Sequence, residues 1–230
     1  MKLFQLVTFS ILFFIKIAAV AQNLSVISTF NIYKKSVQTS DKNMLVNLKK
    51  VIPDVILDLK YATANNFTGT KLYKYAATTY LRKEVAFALL KVNDDLKNVG
   101  FGLKIFDAYR PYSVTKLMWD IVHDERYVAN PLKGSGHNKG IAVDLTIIDM
   151  NTLNELKMGT AFDNFTDSAH HSFTKNLPLE IIANRSLLKS TMEKYGFKSL
   201  ETEWWHYSFS SNENYEVMDI DFKKLARKIK

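Results

Sequence analysis

The chain of 230 residues contains no cysteine. That absence excludes disulfides, thiolate nucleophiles, cysteine-ligated metals and lipidated cysteine anchors. Only four prolines and eight glycines are present, and no repeat or low-complexity stretch interrupts the sequence. Basic charge is not concentrated: the formal charge is +8, yet the lysines are scattered and no arginine cluster forms. A nucleic-acid partner is therefore not expected, because such binding needs a basic patch or stripe. The Lys-rich run from Lys223 to Lys230 reads as a solvated end or helix face. Long apolar runs are also missing after the first 21 residues, so no stable membrane insertion is expected of the rest.

Those first 21 residues stand apart. Lys2 supplies an early charge, Leu3 to Val20 is almost wholly apolar, and Ala19-Val20-Ala21 is a small-x-small site. The segment reads as a signal peptide cleaved before Gln22, since Lys16 leaves the run short of the roughly 20 residues that span a bilayer. Removing Lys2 and Lys16 from +8 leaves +6. The expected location is outside the cytoplasm, in the periplasm or cell envelope.

A hydrophobic content of 47% over this length supports one globular domain with a real core. Residues 22–50 show no sustained period and read as a variable, loosely docked segment, so the domain is expected over 51–230. Leu81, Val85, Ala88, Leu89, Val92 and Leu96 predict an amphipathic helix over 79–99, stopped by Gly100. A short strand over 103–106 leads to Arg110 and Pro111, and a helix follows to about His123. The polar stretch 124–136 places His137 on a loop, and 140–148 reads as a buried strand containing Asp144. Residues 150–180 look irregular, 184–195 helical, and an aromatic strand ends near Phe209. This mixture without regular alternation predicts an α+β fold, a single compact domain with a mainly antiparallel sheet flanked by helices and a site in a cleft on the sheet.

Two clusters carry chemistry. In Ser135-Gly-His137-Asn-Lys-Gly140-Ile-Ala142-Val-Asp144, an imidazole precedes a strand carboxylate by seven positions, and both are zinc-ligand types. Alone the pair is more commonly a surface histidine and a buried, hydrogen-bonded aspartate. Glu201-Thr-Glu203-Trp204-Trp205-His206-Tyr207 offers a second imidazole and a spare carboxylate, though alone it is also an aromatic core strand. Together they complete a catalytic zinc set: His137, Asp144 and His206 as ligands of one Zn2+ per chain, and Glu203 as base outside the shell. Strand alternation puts residues three apart on opposite faces, so Glu203 is expected on a turn or bulge. A fixed guanidinium at Arg110 can stabilise an oxyanion, although from position alone an ordinary ion pair with Asp107 or another acid is the favoured reading. His123, His170 and His171 read as structural or surface residues.

Five ordered motifs between Val51 and Phe209 resemble the bacterial D-alanyl-D-alanine dipeptidases, including the vancomycin-resistance type, within the wider D-Ala-D-Ala metallopeptidase group. They are Asp58-Leu-Lys-Tyr61-Ala-Thr-Ala-Asn-Asn-Phe-Thr-Gly69, Asp107-Ala-Tyr-Arg-Pro111, the Ser135 to Asp144 element, Met158-Gly-Thr-Ala-Phe-Asp163, and Glu203-Trp-Trp-His206. The resemblance implies hydrolysis of the small dipeptide D-Ala-D-Ala to two D-alanines. It also implies that Tyr61 and Asp163 hold the substrate ammonium, that Ser135 contacts substrate, and that Arg110 assists the polarised carbonyl. The best-known resistance dipeptidases act in the cytoplasm, whereas this chain reads as exported, which suggests turnover of peptidoglycan fragments. The alternatives are a D,D-carboxypeptidase or endopeptidase on longer wall peptides, and a noncatalytic zinc-stabilised binding module.

Overall fold

The structure, a computed structural model, describes residues 24–229. The expected signal peptide lies outside the described residues. Among the described residues no helix is long and apolar enough to cross a membrane.

The chain opens with β1 (Val26–Ile27), α1 (Phe30–Thr39), β2 (Leu45–Asn47), α2 (Leu48–Val51) and β3 (Ile56–Leu57). After a long loop come β4 (Tyr80–Arg82), α3 (Lys83–Lys97), β5 (Phe101–Asp107) and α4 (Tyr112–Val122). The centre holds α5 (Gly136–Lys139) and β6 (Ala142–Asp149). The last elements are α6 (Leu179–Lys194), β7 (Phe197–Leu200), β8 (Glu203–Phe209), β9 (Val217–Met218) and α7 (Phe222–Lys228).

The main sheet has the order β3-β5-β6-β8-β7. It is mixed: β3 runs parallel to β5, and the other neighbours are antiparallel. Residues 142–148 are buried without interruption, as suits a central strand covered on both faces. Valines and leucines of α3, including Val85, Leu89 and Val92, pack with Leu188 and Met192 of α6 and Leu103, Ile105, Leu145 and Ile147 of the sheet in one core. The register brings Asp107 opposite Asp144, and Asp144 opposite His206. Three polar side chains thus meet at the same end of three adjacent strands.

Several elements differ from the sequence reading. The helix expected from Thr79 begins only at Lys83, because Tyr80–Arg82 forms β4 and pairs antiparallel with β2. Residues before Val51 are part of the packed fold: Ile27, Tyr33, Leu45 and Leu48 are buried, and β1 pairs in parallel with β9. Arg82 fixes this arrangement. Its buried guanidinium donates to the carbonyls of Asn43, Lys139 and Glu216, joining the N-terminal segment, the end of α5 and the C-terminal region.

The stretch between β6 and α6 is irregular, as expected, apart from a single 3-10 turn at Asp167–Ala169. Arg185 of α6 gives it a fixed path. Its Nε donates to Met158 O at 2.7 Å, and its terminal nitrogens donate to His170 O at 3.0 Å and Ser168 O at 2.9 Å. Arg185→Ala would leave these carbonyls without donors, so we expect a loss of about 3 kcal/mol in urea unfolding.

Candidate active site

One cleft of about 190 Å3 is lined by all eight residues singled out from the sequence: Tyr61, Arg110, Ser135, His137, Asp144, Asp163, Glu203 and His206. A larger cavity of about 440 Å3 beside α7 holds none of them.

His137 does not arrive on a loop but within the single helical turn α5. Ser135 caps that turn: its Oγ accepts from His137 N at 3.2 Å, while Asn138 Oδ1 accepts from Ser135 N at 3.0 Å. Gly140 ends the turn at φ +73, and Gly136 lies so close to β6 that a Cβ would stand 2.9 Å from Ala142 Cβ. Ala108 O lies 2.7 Å from His137 Nδ1, which assigns the proton to Nδ1 and leaves the Nε2 lone pair facing the cleft. His206 is fixed similarly, with Nε2 3.2 Å from Ser208 Oγ and Nδ1 turned inward.

The inward atoms converge. His137 Nε2 is 3.2 Å from His206 Nδ1 and 3.4 Å from Asp144 Oδ2, and His206 Nδ1 is 2.9 Å from Asp144 Oδ1. Among the described residues these three make a group able to hold a metal, with all donor atoms within 4.8 Å of one another. A tetrahedral zinc with bonds of about 2.0–2.1 Å separates its ligand atoms by about 3.3 Å, so the spacing and the nitrogen-oxygen donor set both fit. The two imidazoles beside Asp144 hold its carboxyl well below the usual carboxylate range, against the opposing effect of burial.

Glu203 is the first residue of β8, not a residue before it. The alternation problem is solved by a bulge: Ser199 pairs with Tyr207 and Leu200 with Glu203, so three residues of β8 oppose none of β7. Glu203 and His206 therefore share the cleft, with Glu203 Oε2 3.9 Å from His206 Nδ1. Burial, reinforced by the charges of Asp144 and Asp163, pushes the Glu203 carboxyl well above its ordinary range. A buried carboxylate near the donor trio but outside it has the placement of a general base.

Arg110 does form the ion pair with Asp107 that its position suggested. Its Nε donates to Asp107 Oδ2 at 2.9 Å, and Nη2 lies 2.9 Å from the same oxygen and 3.7 Å from Asp144 Oδ2. The pairing aims the guanidinium at the cleft, over the ring of Tyr61 at 5.1 Å. Asp107 is fully buried and is the positioning group that sequence reading treated only as a competitor. Its sequence signals were the three-residue spacing to Arg110 and its place at the head of the Asp107-Ala-Tyr-Arg-Pro111 motif.

Asp163 and Tyr61 meet across 102 residues: Tyr61 Oη donates at 2.9 and 3.2 Å to the two carboxylate oxygens. Burial outweighs this donation and raises the Asp163 carboxyl to about 7. Asp163 has φ +59, an uncommon backbone state for a non-glycine residue that turns its side chain inward. His170 and His171 do not line this cleft; His171 packs edge-on to Tyr207, and burial lowers its imidazole to about 4. His123 caps the end of α4.

A family model described as D-Ala-D-Ala dipeptidase matches residues 41–225. A D-alanyl-D-alanine dipeptidase of Escherichia coli is 35% identical over 183 residues, covering 80% of this chain and 93% of that protein. One from Enterococcus faecalis is 33% identical, covering 72% of this chain and 91% of the relative. Among solved structures, the LdcB LD-carboxypeptidase aligns with a TM-score of 0.39 at 22% identity, over 69% of this chain and 75% of that one. A vancomycin-resistance D,D-pentapeptidase in complex with Zn(II) aligns with a TM-score of 0.39 at 15% identity, over 60% of this chain and 76% of its own.

Proposed function

Because the chain belongs to the D-Ala-D-Ala dipeptidase family, a family of peptidases, we propose that it hydrolyses D-Ala-D-Ala to two D-alanines with one zinc ion held by His137, Asp144 and His206. The observation that carries this reading is the meeting of a three-donor metal group, a spare carboxylate and an isolated acid in one cleft of about 190 Å3. That volume is small for a ligand site and suits a dipeptide of small side chains.

A zinc ion held by His137, Asp144 and His206 would supply the positive charge that acidifies a water and polarises the scissile carbonyl. Glu203 removes the proton of the attacking water and returns it to the departing amine. Arg110, held rigid by Asp107, donates to the oxygen that gains negative charge. Asp163 takes the free ammonium of the dipeptide, oriented by Tyr61, and Ser135 at the mouth of α5 contacts the substrate. A peptide acylated on its amino group offers no cation to Asp163, which disfavours the carboxypeptidase alternative. The presence of both Glu203 and Arg110 disfavours a noncatalytic module.

The sequence character of residues 1–21 supports export, so the proposed setting is the cell envelope, with D-Ala-D-Ala from peptidoglycan turnover as substrate.

The pH dependence tests the role of Asp163. Its carboxyl must ionise to pair an ammonium, and its value is about 7, so kcat/KM for the dipeptide should rise with pH through 7. Asp163→Asn should change that limb, leaving only the rise due to ionisation of Glu203, and raise KM by roughly 10- to 100-fold, the value of a lost charge-assisted hydrogen bond. An unchanged profile in the variant would detach Asp163 from substrate binding. The same group has a sign in stability: its folded value lies above the ordinary 3.8, so the folded state binds more protons between about 4 and 7. Its contribution is fully present below that window and is lost as pH rises through it, and a bound ammonium restores it.

A further inference from the structure

Three aromatic rings line the cleft together, and none of them belongs to the chemistry described above. Phe67, Tyr127 and Phe165 all line the cleft and come from three different loops. Phe67 and Phe165 meet edge to face at 5.3 Å between centroids, and Phe165 stacks on Tyr127 at 4.8 Å and 26°. The row also touches Tyr61, whose ring is 6.2 Å from Phe67. It begins at Asp163, which Phe165 follows by two residues.

Each ring is presented by a loop with its own internal fastening. The Asn66 amide donates to the carbonyls of Lys60, Thr63 and Thr70, fixing the loop of Phe67. Asn164 Oδ1 accepts from Thr166 N and Oγ1, turning the chain at Phe165. Asp124 Oδ1 accepts from Arg126 N, and Thr202 Oγ1 donates to Arg126 O at 3.0 Å, anchoring the loop of Tyr127 beside Glu203. Turns of this Asx type hold their backbone without help from the rest of the fold. Ring pairs of this geometry each add about 0.5–1.5 kcal/mol beyond area burial, so the three rings pack as one unit and not as independent side chains.

We propose that the Phe67–Phe165–Tyr127 row is a wall that seals the cleft beyond the ammonium site and sets the upper length of the substrate. The inference rests on the dipeptidase reading and adds a steric element to the electrostatic one. Asp163 favours a free amino group, whereas the wall leaves no volume for a residue or acyl group attached to it. Phe165 is the middle ring, in contact with both others, so its removal breaks the row at its centre.

The test compares D-Ala-D-Ala with N-acetyl-D-Ala-D-Ala in the zinc-loaded protein and in its Phe165→Ala and Phe165→Ala/Tyr127→Ala variants. Expected is cleavage of the free dipeptide alone by the unaltered protein. In the variants, the kcat/KM ratio of blocked to free substrate should rise at least about 10-fold, a gain that loss of folding does not produce. A variant that still cleaves the free dipeptide but shows no change in that ratio overturns the wall and leaves Asp163 as the length determinant. Appreciable cleavage of the blocked dipeptide by the unaltered protein overturns it as well. A second readout is independent of turnover: labelling of His206 by diethyl pyrocarbonate in chelated protein, followed by mass spectrometry. Labelling should accelerate several-fold in the double variant. If the unaltered protein cleaves neither substrate while labelling still accelerates, the dipeptidase reading fails and the wall stands; equal labelling rates overturn the wall.

Discussion

Glu203→Ala lowers turnover of D-Ala-D-Ala by on the order of 10³-fold or more and leaves zinc bound. The magnitude follows from the proposed role: a positioned general acid-base group contributes about 10²–10⁴-fold, and in the proposed reaction one carboxylate serves both proton transfers. Retention of the metal follows from the geometry. Glu203 Oε2 is 3.9 Å from His206 Nδ1, outside the trio whose donor atoms approach one another to 2.9–3.4 Å. The variant also relieves a burdened site. Burial with Asp144 and Asp163 nearby disfavours the Glu203 carboxylate in the protein, so its removal should not lower thermal stability. Metal content and kcat measured on the same sample decide the matter, and loss of zinc in step with activity would move Glu203 into the metal shell.

His137→Ala gives the opposite pairing of results, with zinc and activity lost together. Changes to the partners of a metal ligand typically cost 10- to 100-fold in metal affinity, and removing a ligand itself should exceed that. The side chain is buried and held from behind by Ala108 O at 2.7 Å. The variant further leaves Asp144 with only His206 and Arg110 to offset its charge. Zinc titration of the apo-protein should therefore show affinity reduced by more than about 100-fold. A variant that binds zinc normally would exclude His137 from the shell.

Much of this site was legible in the sequence because its parts are local. Ser135, Gly136, His137 and Gly140 form one capped turn, and the pattern of β6 shows a carboxylate set in an apolar strand. Seven positions suffice to bring His137 and Asp144 together. The bulge before His206 could be required from parity alone, since Glu203 and His206 cannot share a face of a regular strand. Its place could not: the pairing of Leu200 with Glu203 depends on β7, and Glu203 proves to be inside β8.

What escaped was long-range. Tyr80–Arg82 continues the apolar pattern of α3, and only its partner β2, more than thirty residues earlier, makes it a strand. The segment before Val51 shows no clear period because its strands are two or three residues long and its one long helix, α1, buries only Tyr33, yet it is held by β9 and by Arg82 from distant parts of the chain. Arg185 carries no motif, and its partners are backbone carbonyls that no sequence pattern marks. Tyr61 and Asp163 could be named only through family resemblance. Their contact spans 102 residues and the irregular loop that Arg185 pins.

The account stands most directly on release of free D-alanine from D-Ala-D-Ala by the zinc-loaded protein, with chelated protein as control. It predicts release of two D-alanines per dipeptide, abolished by chelation and restored by added zinc. No release from the zinc-loaded protein, or release that persists undiminished after chelation, would contradict it.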